Sequence, residues 1–399
     1  MTTFRSPLPE GEVLGGKYRI DRVLGGGSMG VVVAARHIEL NRRLAIKFML
    51  TDPDPDAVLR FQREGRAAAL LRGDHSARVY DVGRMENGTP YIVMEFLTGK
   101  DLGELLRELG RLPIGDAVEY VMHACEGIAE AHGRGMVHRD LKPRNLFLTR
   151  RLDGRPLVKV LDFGLAKTVE SIETRSLTTS TTVMGSPEYM SPEQLRASRD
   201  VDARTDIWSL GVCLYELLTG ATPFTGESVP ALCVNVLTDA PRAPHEVRGD
   251  LPRGLSAVIM QCLAKSPAAR FADIAALASA LEPFLEKGLQ GSAHRVRHVL
   301  STVGRFDSMA PQGLKPQVDA AKGAGDSVDA LGDTADVAFD LRPAIPSLPL
   351  RAADPPARTP EQPRPVEAGP GTRTTTTPLQ QQRGSWLGRF WSRLRGAPD

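Results

Sequence analysis

Two acidic side chains and one amide lie in two short motifs near the middle of the sequence. The run HRDLKPRN (138–145) contains Asp140 and Asn145, and DFG (162–164) begins with Asp162. Both motifs lie in predicted loops beside short apolar stretches. Carboxylate and carboxamide oxygens are the ligands that Mg²⁺ prefers in proteins. The two motifs therefore predict a magnesium site.

A glycine-rich stretch, GGGSMG, occupies residues 25–30 and is followed by the strand-like run VVVAA (31–35). Glycines let backbone amides close over phosphates without obstruction by side chains. A dinucleotide-binding fold would require a helix to begin at this loop. Because a strand follows instead, the stretch favours a strand–loop–strand lid over a nucleotide, although any glycine-rich hairpin matches the spacing taken alone.

A single lysine, Lys47, lies at the centre of the apolar run LAIKFML (44–50). An unpaired ammonium group would be costly to bury in such a run, so an anionic partner is expected. Glu64, in a helical stretch, supplies a carboxylate that could pair with it. The alternative is a lysine at a strand edge with its charged head in water.

The elements that must position these groups follow from the hydrophobic periodicity. From Tyr18 to about Glu95 the pattern is strand-like, with one helical stretch at Ala57–Leu71. From Leu102 to about Leu285 it is mostly helical. The clearest helical stretches are Ala117–His132, Ile207–Leu218 and Leu255–Leu263. A small β-rich part followed by a larger α-rich part predicts an α+β, two-lobed architecture.

The overall composition excludes several classes of protein. Fifty Lys and Arg against 48 Asp and Glu leave a formal charge of +2, which gives no electrostatic argument for nucleic-acid binding. Four widely separated cysteines without a CxxC pair argue against a disulfide framework or a zinc site. The sequence shows no secretory signal pattern and no apolar run of about 18 residues, so a cytoplasmic protein is expected.

In order and rough spacing, these motifs resemble those of the protein serine/threonine kinase family, in particular its eukaryotic-like members in bacteria. The sequence contains a GxGxxGxV lid, AIK, HRDLKPxN, DFG, and SPE (191–193) in place of the usual APE. The likeness extends through RTDIWSLG (204–211) to Arg270. It implies a two-lobed protein kinase fold, with a β-rich N-lobe and an α-rich C-lobe, followed by a largely disordered tail.

The resemblance and the change in composition divide the chain. Ten of the 30 prolines fall in residues 341–380, a composition that cannot bury enough apolar surface to fold. Four parts are expected: an N-terminal arm (1–16), a kinase domain (17–284, with the N-lobe at 17–97 and the C-lobe at 98–284), a Pro/Thr-rich disordered linker (285–380) and a short basic amphipathic segment (381–399).

The resemblance also implies roles for individual residues. Asp140 resembles the residue that accepts the proton of the substrate hydroxyl, and Lys142 resembles the lysine that marks specificity for Ser and Thr. Lys47 resembles the lysine that holds the α- and β-phosphates of ATP, and Glu64 the glutamate that orients it.

ATP and Mg²⁺ (or Mn²⁺) are the cofactors that the resemblance implies. Asn145 and Asp162 resemble the two metal ligands. The carbonyl of Glu95 and the amide of Leu97 would read adenine at the connection between the lobes. The nucleotide site as a whole is expected to comprise Leu24, Gly25, Gly26, Gly27, Ser28, Met29, Gly30, Val32, Ala45, Lys47, Glu64, Glu95, Leu97, Asp101 and Phe147.

Regulation is expected at the activation segment. Arg139 resembles the arginine that grips a phosphate on this segment in such kinases. The candidate hydroxyls are Thr178, Thr179 and Thr182, and their autophosphorylation is expected to control activity. Ser186 takes the place of the threonine in the loop that receives the acceptor residue.

Two supporting contacts are expected within the resemblance. Glu193 can form an ion pair with Arg270, and His138 is expected to pack beneath Phe163. The histidines of the long helical stretch, such as His132, are expected to be ordinary core or surface residues.

Two alternatives to a free-standing active kinase stay open. A pseudokinase would keep the fold as a scaffold that binds ATP without transferring phosphate. The presence of Lys47, Asp140, Asn145 and Asp162 favours catalysis over that alternative. The second alternative is a kinase module within a membrane or partner adaptor. For an active kinase, the expected partners are protein substrates that carry Ser or Thr acceptors.

The C-terminal segment is the reason for the adaptor alternative. On a helix, an arc of about 140° would hold Trp386, Leu387, Phe390, Trp391 and Leu394. The arginines between them lie on the flanks. This pattern predicts docking of residues 383–395 to an anionic membrane surface or to a groove on a partner, and a peripheral location at the inner membrane surface. A frayed tail is the alternative.

Overall fold

The computed structural model describes residues 6–27, 30–49, 55–163, 186–196, 201–286 and 290–307. All of them belong to one compact unit, residues 1–311. A second unit, residues 312–399, lies outside the described residues, and so does the predicted docking segment 383–395.

The amino-terminal lobe is an antiparallel sheet that carries one helix. The alternating runs of the sequence form six strands in the order β1-β2-β3-β4-β6-β5. They are β1 (Val13–Leu14), β2 (Tyr18–Gly27), β3 (Gly30–His37), β4 (Arg42–Met49), β5 (Val79–Arg84) and β6 (Pro90–Glu95). Helix α1 (Pro55–Ala68) follows β4, and its Phe61 packs against Met49 and Ile92 of the sheet.

The N-terminal arm expected at residues 1–16 is instead part of this lobe in its described portion. Leu8 and Leu14 are buried on the apolar face of the sheet, where they join a cluster that includes Val33, Ile46 and Phe48. The expectation was wrong because a strand of two residues and two separated leucines are too short to produce a periodic signal.

The carboxy-terminal lobe is mostly helical, as predicted. A three-stranded sheet at the junction of the lobes contains β7 (Lys100–Asp101), β8 (Leu146–Arg150) and β9 (Pro156–Val160). The helices are α2 (Leu102–Leu109), α3 (Ile114–Gly133), α4 (Pro192–Leu195), α5 (Arg204–Thr219), α6 (Val229–Thr238), α7 (Pro244–Val247), α8 (Arg253–Cys262), α9 (Ile274–Leu281) and α10 (Ser292–Asp307). Helices α3 and α5 are buried along nearly their whole length, and their buried positions include polar residues such as Glu130 and Asp206.

Helix α10 lies where the sequence predicted a disordered linker from residue 285. Its Val296 is fully buried, and it packs against α3. A Cβ on Gly133 would lie 3.1 Å from Cβ of Val303, so glycine lets the two helices approach closely. The prediction was wrong for this stretch because the prolines that indicated disorder lie well beyond it. Residues 308–380 lie outside the described ranges.

Among the helices that the structure describes, none combines the length and the apolar composition needed to span a bilayer.

Candidate active site

Three polar side chains predicted to do chemistry lie together in the loop that follows α3. Nζ of Lys142 is 2.8 Å from Oδ2 of Asp140. Nδ2 of Asn145 donates to the carbonyl oxygen of Asp140 at 2.7 Å and to its Oδ2 at 3.3 Å. The Asp140 carboxylate is thus oriented from two sides, yet a quarter of its side chain (25%) stays accessible to solvent.

Asp162 joins this group through the backbone. The amide of Leu161 donates to the carbonyl of Asn145 at 2.9 Å, which brings the start of the DFG motif beside the loop. Asp162 itself has a φ of 55°, in the left-handed region that non-glycine residues seldom adopt. Such backbone strain persists only where the surrounding structure holds it, and it is concentrated at functional sites.

Lys47 pairs with Asp162 rather than with the predicted Glu64. Nζ of Lys47 lies 2.7 Å from Oδ1 of Asp162, and this is its only ion pair within the described residues. The sequence correctly required an anion at Lys47, but the analysis named Glu64 for it, whereas the structure shows Asp162. Which one is reached depends on how α1 sits against the sheet, which no local pattern encodes.

The glycine-rich lid is the connection between β2 and β3, as predicted. A Cβ on Gly25 or Gly27 would meet nothing within 4 Å, whereas one on Gly30 would lie 1.9 Å from the carbonyl oxygen of Phe48. The protein's own packing therefore requires glycine only at the last of these positions. The first two leave open space, which suits a ligand. Ser28 and Met29 lie outside the described residues.

The side of the site where the sequence analysis expects adenine is formed by β3, β4 and the end of β6. Val32 pairs directly with Lys47, and Ala45 pairs with Met94. In the described part of the chain, no hydrogen bond engages the backbone amide of Leu97. That amide is consequently available to an adenine ring.

Three further predicted residues flank this region. Leu24 is an exposed side chain on β2 beside the lid. Asp101 lies opposite Phe147 in the pairing of β7 with β8. Its carboxylate also caps α2 by accepting from the amide of Glu104 at 2.8 Å.

An ion pair that the sequence analysis missed fixes the connection between the lobes. Nζ of Lys159, on β9, lies 2.8 Å from Oε1 of Glu95, and both side chains are largely buried. Oε1 of Glu95 also accepts from the backbone amide of Arg78 at 2.7 Å. A lysine inside the buried run VKVL was the available signal, because such a charge requires a partner.

Asp206 is the second residue whose role was missed. This fully buried carboxylate accepts from the backbone amides of His138 and Arg139, both at 2.9 Å, and lies 2.8 Å from Nε2 of His132. Burial alone would raise the pKa of Asp206, but the hydrogen bond and charge of His132 and the field of His138 hold that pKa below its ordinary value. His132 is a buried core residue, as expected, and its hydrogen bond to Asp206 is what the sequence analysis did not foresee.

Arg139 needs this support because its backbone is strained. Its φ is 63°, and its carbonyl oxygen accepts from Nε2 of Gln194 at 2.9 Å. Gln194 is in turn held by Ser191 and by Thr205, whose Oγ1 donates to its Oε1 at 3.0 Å. The loop is thus fixed on its amide side by Asp206 and on its carbonyl side by α4.

Both expected supporting contacts are confirmed. Arg270 forms a two-pronged ion pair with Glu193, at 2.7 and 2.8 Å. The rings of His138 and Phe163 lie 5.1 Å apart, centre to centre. Ser186 is described, at the start of a short 3₁₀ turn, whereas Gly164, Thr178, Thr179 and Thr182 lie outside the described residues.

The residues present fit a divalent cation that prefers oxygen. Asp162 offers a carboxylate with 34% of its side chain exposed. Nδ2 of Asn145 is engaged with Asp140, which leaves the carboxamide oxygen as the ligating atom. Within the described ranges, no group of three or more His, Cys, Asp or Glu could hold a metal by itself. Asp162 and Asn145 offer two oxygen ligands, and Mg²⁺ usually takes one or two protein ligands together with phosphate and water.

Comparison with known proteins agrees with this geometry. The model of the protein kinase domain family matches residues 18–281. The serine/threonine-protein kinase pkn3 of Myxococcus xanthus is 38% identical over 277 residues, which cover 68% of this chain and 50% of pkn3. The serine/threonine-protein kinase PknB of Mycobacterium leprae is 37% identical over 263 residues, covering 65% and 41% of the two chains.

A solved structure is similar over the same region. The crystal structure of the PknI kinase domain of Mycobacterium tuberculosis aligns with a TM-score of 0.56 and 29% identity, over 69% of this chain and 99% of that one. The chain therefore belongs to the protein kinase family. It spans half the length of pkn3 and less than half the length of PknB.

Replacing Asp206 should destabilise the fold and loosen the loop that carries Asp140. Asp206→Asn places an NH₂ group, itself a donor, against backbone amides that now donate to the carboxylate. Because at least one of these hydrogen bonds is lost, we expect the free energy of unfolding to fall by about 3 kcal/mol. Denaturant unfolding measures this change, and faster amide hydrogen exchange at His138 and Arg139 would report the loosening. Asp202→Asn, at the exposed ion pair with Arg204, is the matched control and should cost less than about 1 kcal/mol. Equal losses in the two variants would contradict the anchoring role.

Proposed function

We propose that this chain transfers the γ-phosphoryl group of ATP to Ser or Thr hydroxyls of protein substrates. The observation that carries the proposal is the convergence of Lys47, Asp140, Asn145 and Asp162 at one site between the lobes. The relatives named above are serine/threonine-protein kinases by name, which supports the class of acceptor.

The side chains act mainly by positioning and by neutralising charge. Asp140, oriented by Asn145, would accept the proton of the incoming hydroxyl. Lys142, 2.8 Å from Asp140, places a positive charge beside the transferring group. A bound Mg²⁺ or Mn²⁺, held by Asn145 and Asp162, would neutralise the charge of the phosphates.

The ion pair of Lys47 with Asp162 indicates an exchange of partners when nucleotide binds. Phosphate oxygens would compete with Asp162 for the ammonium group of Lys47. Each phosphate–lysine contact would then release the Asp162 carboxylate to ligate the metal. In this proposal, the predicted ion pair of Lys47 with Glu64 forms when the nucleotide is bound.

A pseudokinase is the alternative function within the same fold. The four side chains are not only present in the sequence but lie within contact distance of one another in pairs. A scaffold would have no need to keep the Asp140 carboxylate oriented and accessible. The arrangement therefore favours catalysis.

Asp140→Asn should lower kcat for phosphoryl transfer by about 10²- to 10⁴-fold, because it removes the proton acceptor. Transfer from labelled ATP to a generic Ser/Thr protein measures the rate, and binding of a fluorescent ATP analogue should be retained. The control is Asp153→Asn, on the exposed hairpin between β8 and β9, which should leave transfer unchanged. No transfer by the wild type, or equal transfer by Asp140→Asn, would refute the proposal.

Control by phosphorylation of the activation segment is the regulatory part of the proposal. Nε of Arg139 is buried without a hydrogen-bond partner within the described residues, so a donor is ready for an anion. A phosphate on Thr182, four residues before Ser186, would supply about two negative charges there.

Mass spectrometry of the active enzyme should find phosphate on the segment 178–182, with Thr182 prominent. Thr182→Ala should lower activity more than Thr178→Ala. The second variant is the control because it removes a hydroxyl of the same kind four residues earlier in the segment. Full activity of protein that carries no phosphate on this segment would contradict the prediction.

Peripheral membrane binding through residues 383–395 is the last part of the proposal and rests on the sequence alone. The full chain should bind anionic vesicles with a blue shift of Trp fluorescence that weakens with salt. A chain ending at residue 380 should not bind. If the full chain binds no better than the shortened one, the membrane role is removed and partner docking stays as the alternative.

A further inference from the structure

Three arginines form a row across neighbouring strands of the amino-terminal sheet. Arg19 on β2 lies directly opposite Arg36 on β3, and Arg36 lies directly opposite Arg43 on β4. Residues opposite each other in an antiparallel pair project from the same face. Strands are about 4.8 Å apart, so the three side chains start along a line of about 10 Å. Arg22, opposite Ala34, adds a fourth charge to this face.

The row lies on the cleft-facing side of the sheet, at its outer end. Residues two apart on a strand share a face, so Arg43 shares its face with Ala45 and Lys47. Lys47 contacts Asp162 and thereby identifies this face as the one toward the cleft. Four residues of strand separate Arg43 from Lys47 by about 13 Å. The guanidinium of Arg43 lies 6.0 Å from the ring centre of Phe96, beside the connection between the lobes.

Among the residues that the structure describes, no acid neutralises this row. Within the described part of the chain, Arg19, Arg22, Arg36 and Arg43 make no ion pair, although arginines elsewhere do so repeatedly. Arg36 donates only to the side-chain oxygen of Asn41, at 3.1 Å. Like charges directly opposite each other on a sheet are destabilising, so the row carries a cost that an external anion would relieve.

We propose that this row is a docking site for an Asp/Glu-rich stretch of a protein substrate. The row lies on the cleft-facing side of the sheet, about 13 Å along β4 from Lys47, a distance that four extended residues of a substrate span. The inference rests on the proposed function in one respect: it takes the bound partner to be a substrate.

The layout of the row favours carboxylates on an extended chain over a phosphate group. The charges are spread along a line on parallel side chains, whereas a phosphate is usually gripped by donors that converge on one point. The backbone amides of these strands are used in the sheet, so they cannot form a phosphate cradle. An extended peptide places alternate side chains about 6.6 Å apart on one face, a spacing that flexible arginines can match.

The test is binding of a labelled twelve-residue peptide of alternating Glu and Ala to the full chain, without ATP and at low ionic strength. The row variant combines Arg19→Gln, Arg36→Gln and Arg43→Gln, which keep the length of the apolar stem. The control variant combines Arg107→Gln, Arg111→Gln and Arg253→Gln, which remove the same total charge at exposed positions away from the sheet.

We expect the row variant to bind the peptide about tenfold more weakly than the wild type, with the control variant within about twofold. Salt at about 0.5 M should weaken wild-type binding, because it screens exposed charges. Equal binding by the wild type and the row variant, or equal loss in both variants, would overturn the proposal. An oligonucleotide of the same charge that binds the row more tightly than the peptide would also overturn it, in favour of nucleic acid.

A second measurement separates this inference from the proposed function. A Ser/Thr peptide with a run of Glu attached should have a lower KM than the same peptide with a run of Gly, and the row variant should abolish that difference while KM for ATP is unchanged. Failure of transfer with both peptides would refute the kinase activity but leave the binding result intact. Transfer with equal KM for both peptides would refute the substrate role of the row.

Discussion

A single buried carboxylate, that of Asp206, holds the loop on which the chemistry depends. It lies in α5, at the centre of the carboxy-terminal lobe, and accepts from two consecutive backbone amides and from His132. A buried charge of this kind is tolerated only when its hydrogen bonds are complete. The cost of breaking them keeps Arg139 in its strained conformation, and Asp140 follows directly in the chain. The large helical lobe thus serves to position one accessible acid.

Two lysines on strands join the lobes at the same junction. Lys47 pairs with Asp162 inside the cleft, and Lys159 pairs with Glu95 at the connection between the lobes. Lys159 lies three residues before Asp162, so the strand that leads to this candidate metal ligand is also tied, through Glu95, to the connection between the lobes. We therefore expect a displacement of the Lys159–Glu95 ion pair to displace Asp162 as well, because only two residues separate Lys159 from Asp162.

The two faces of the amino-terminal sheet have divided roles. One face is apolar and is covered by Leu8 and Leu14 of the N-terminal segment, so that segment contributes to the core. The other face contains Lys47 and, further out, the arginine row. Strict alternation along each strand produces this separation, since neighbouring residues point to opposite faces. The same alternation makes a one-residue error in register costly, because it would bury arginines and expose the core.

The sequence by itself determined the family, the two lobes and the candidates for the reacting groups, because motif order, helical and strand periodicity, and residue chemistry are local properties of the chain. Only the tertiary structure decided which partners those groups meet. Lys47 reaches Asp162 across the cleft, and Asp206 reaches a loop 67 residues away. Helix α10 packs against α3, and the sequence analysis found no helical pattern that would have predicted it. These outcomes depend on packing between distant segments, where the position of each element sets the distances, and no window of sequence contains that information.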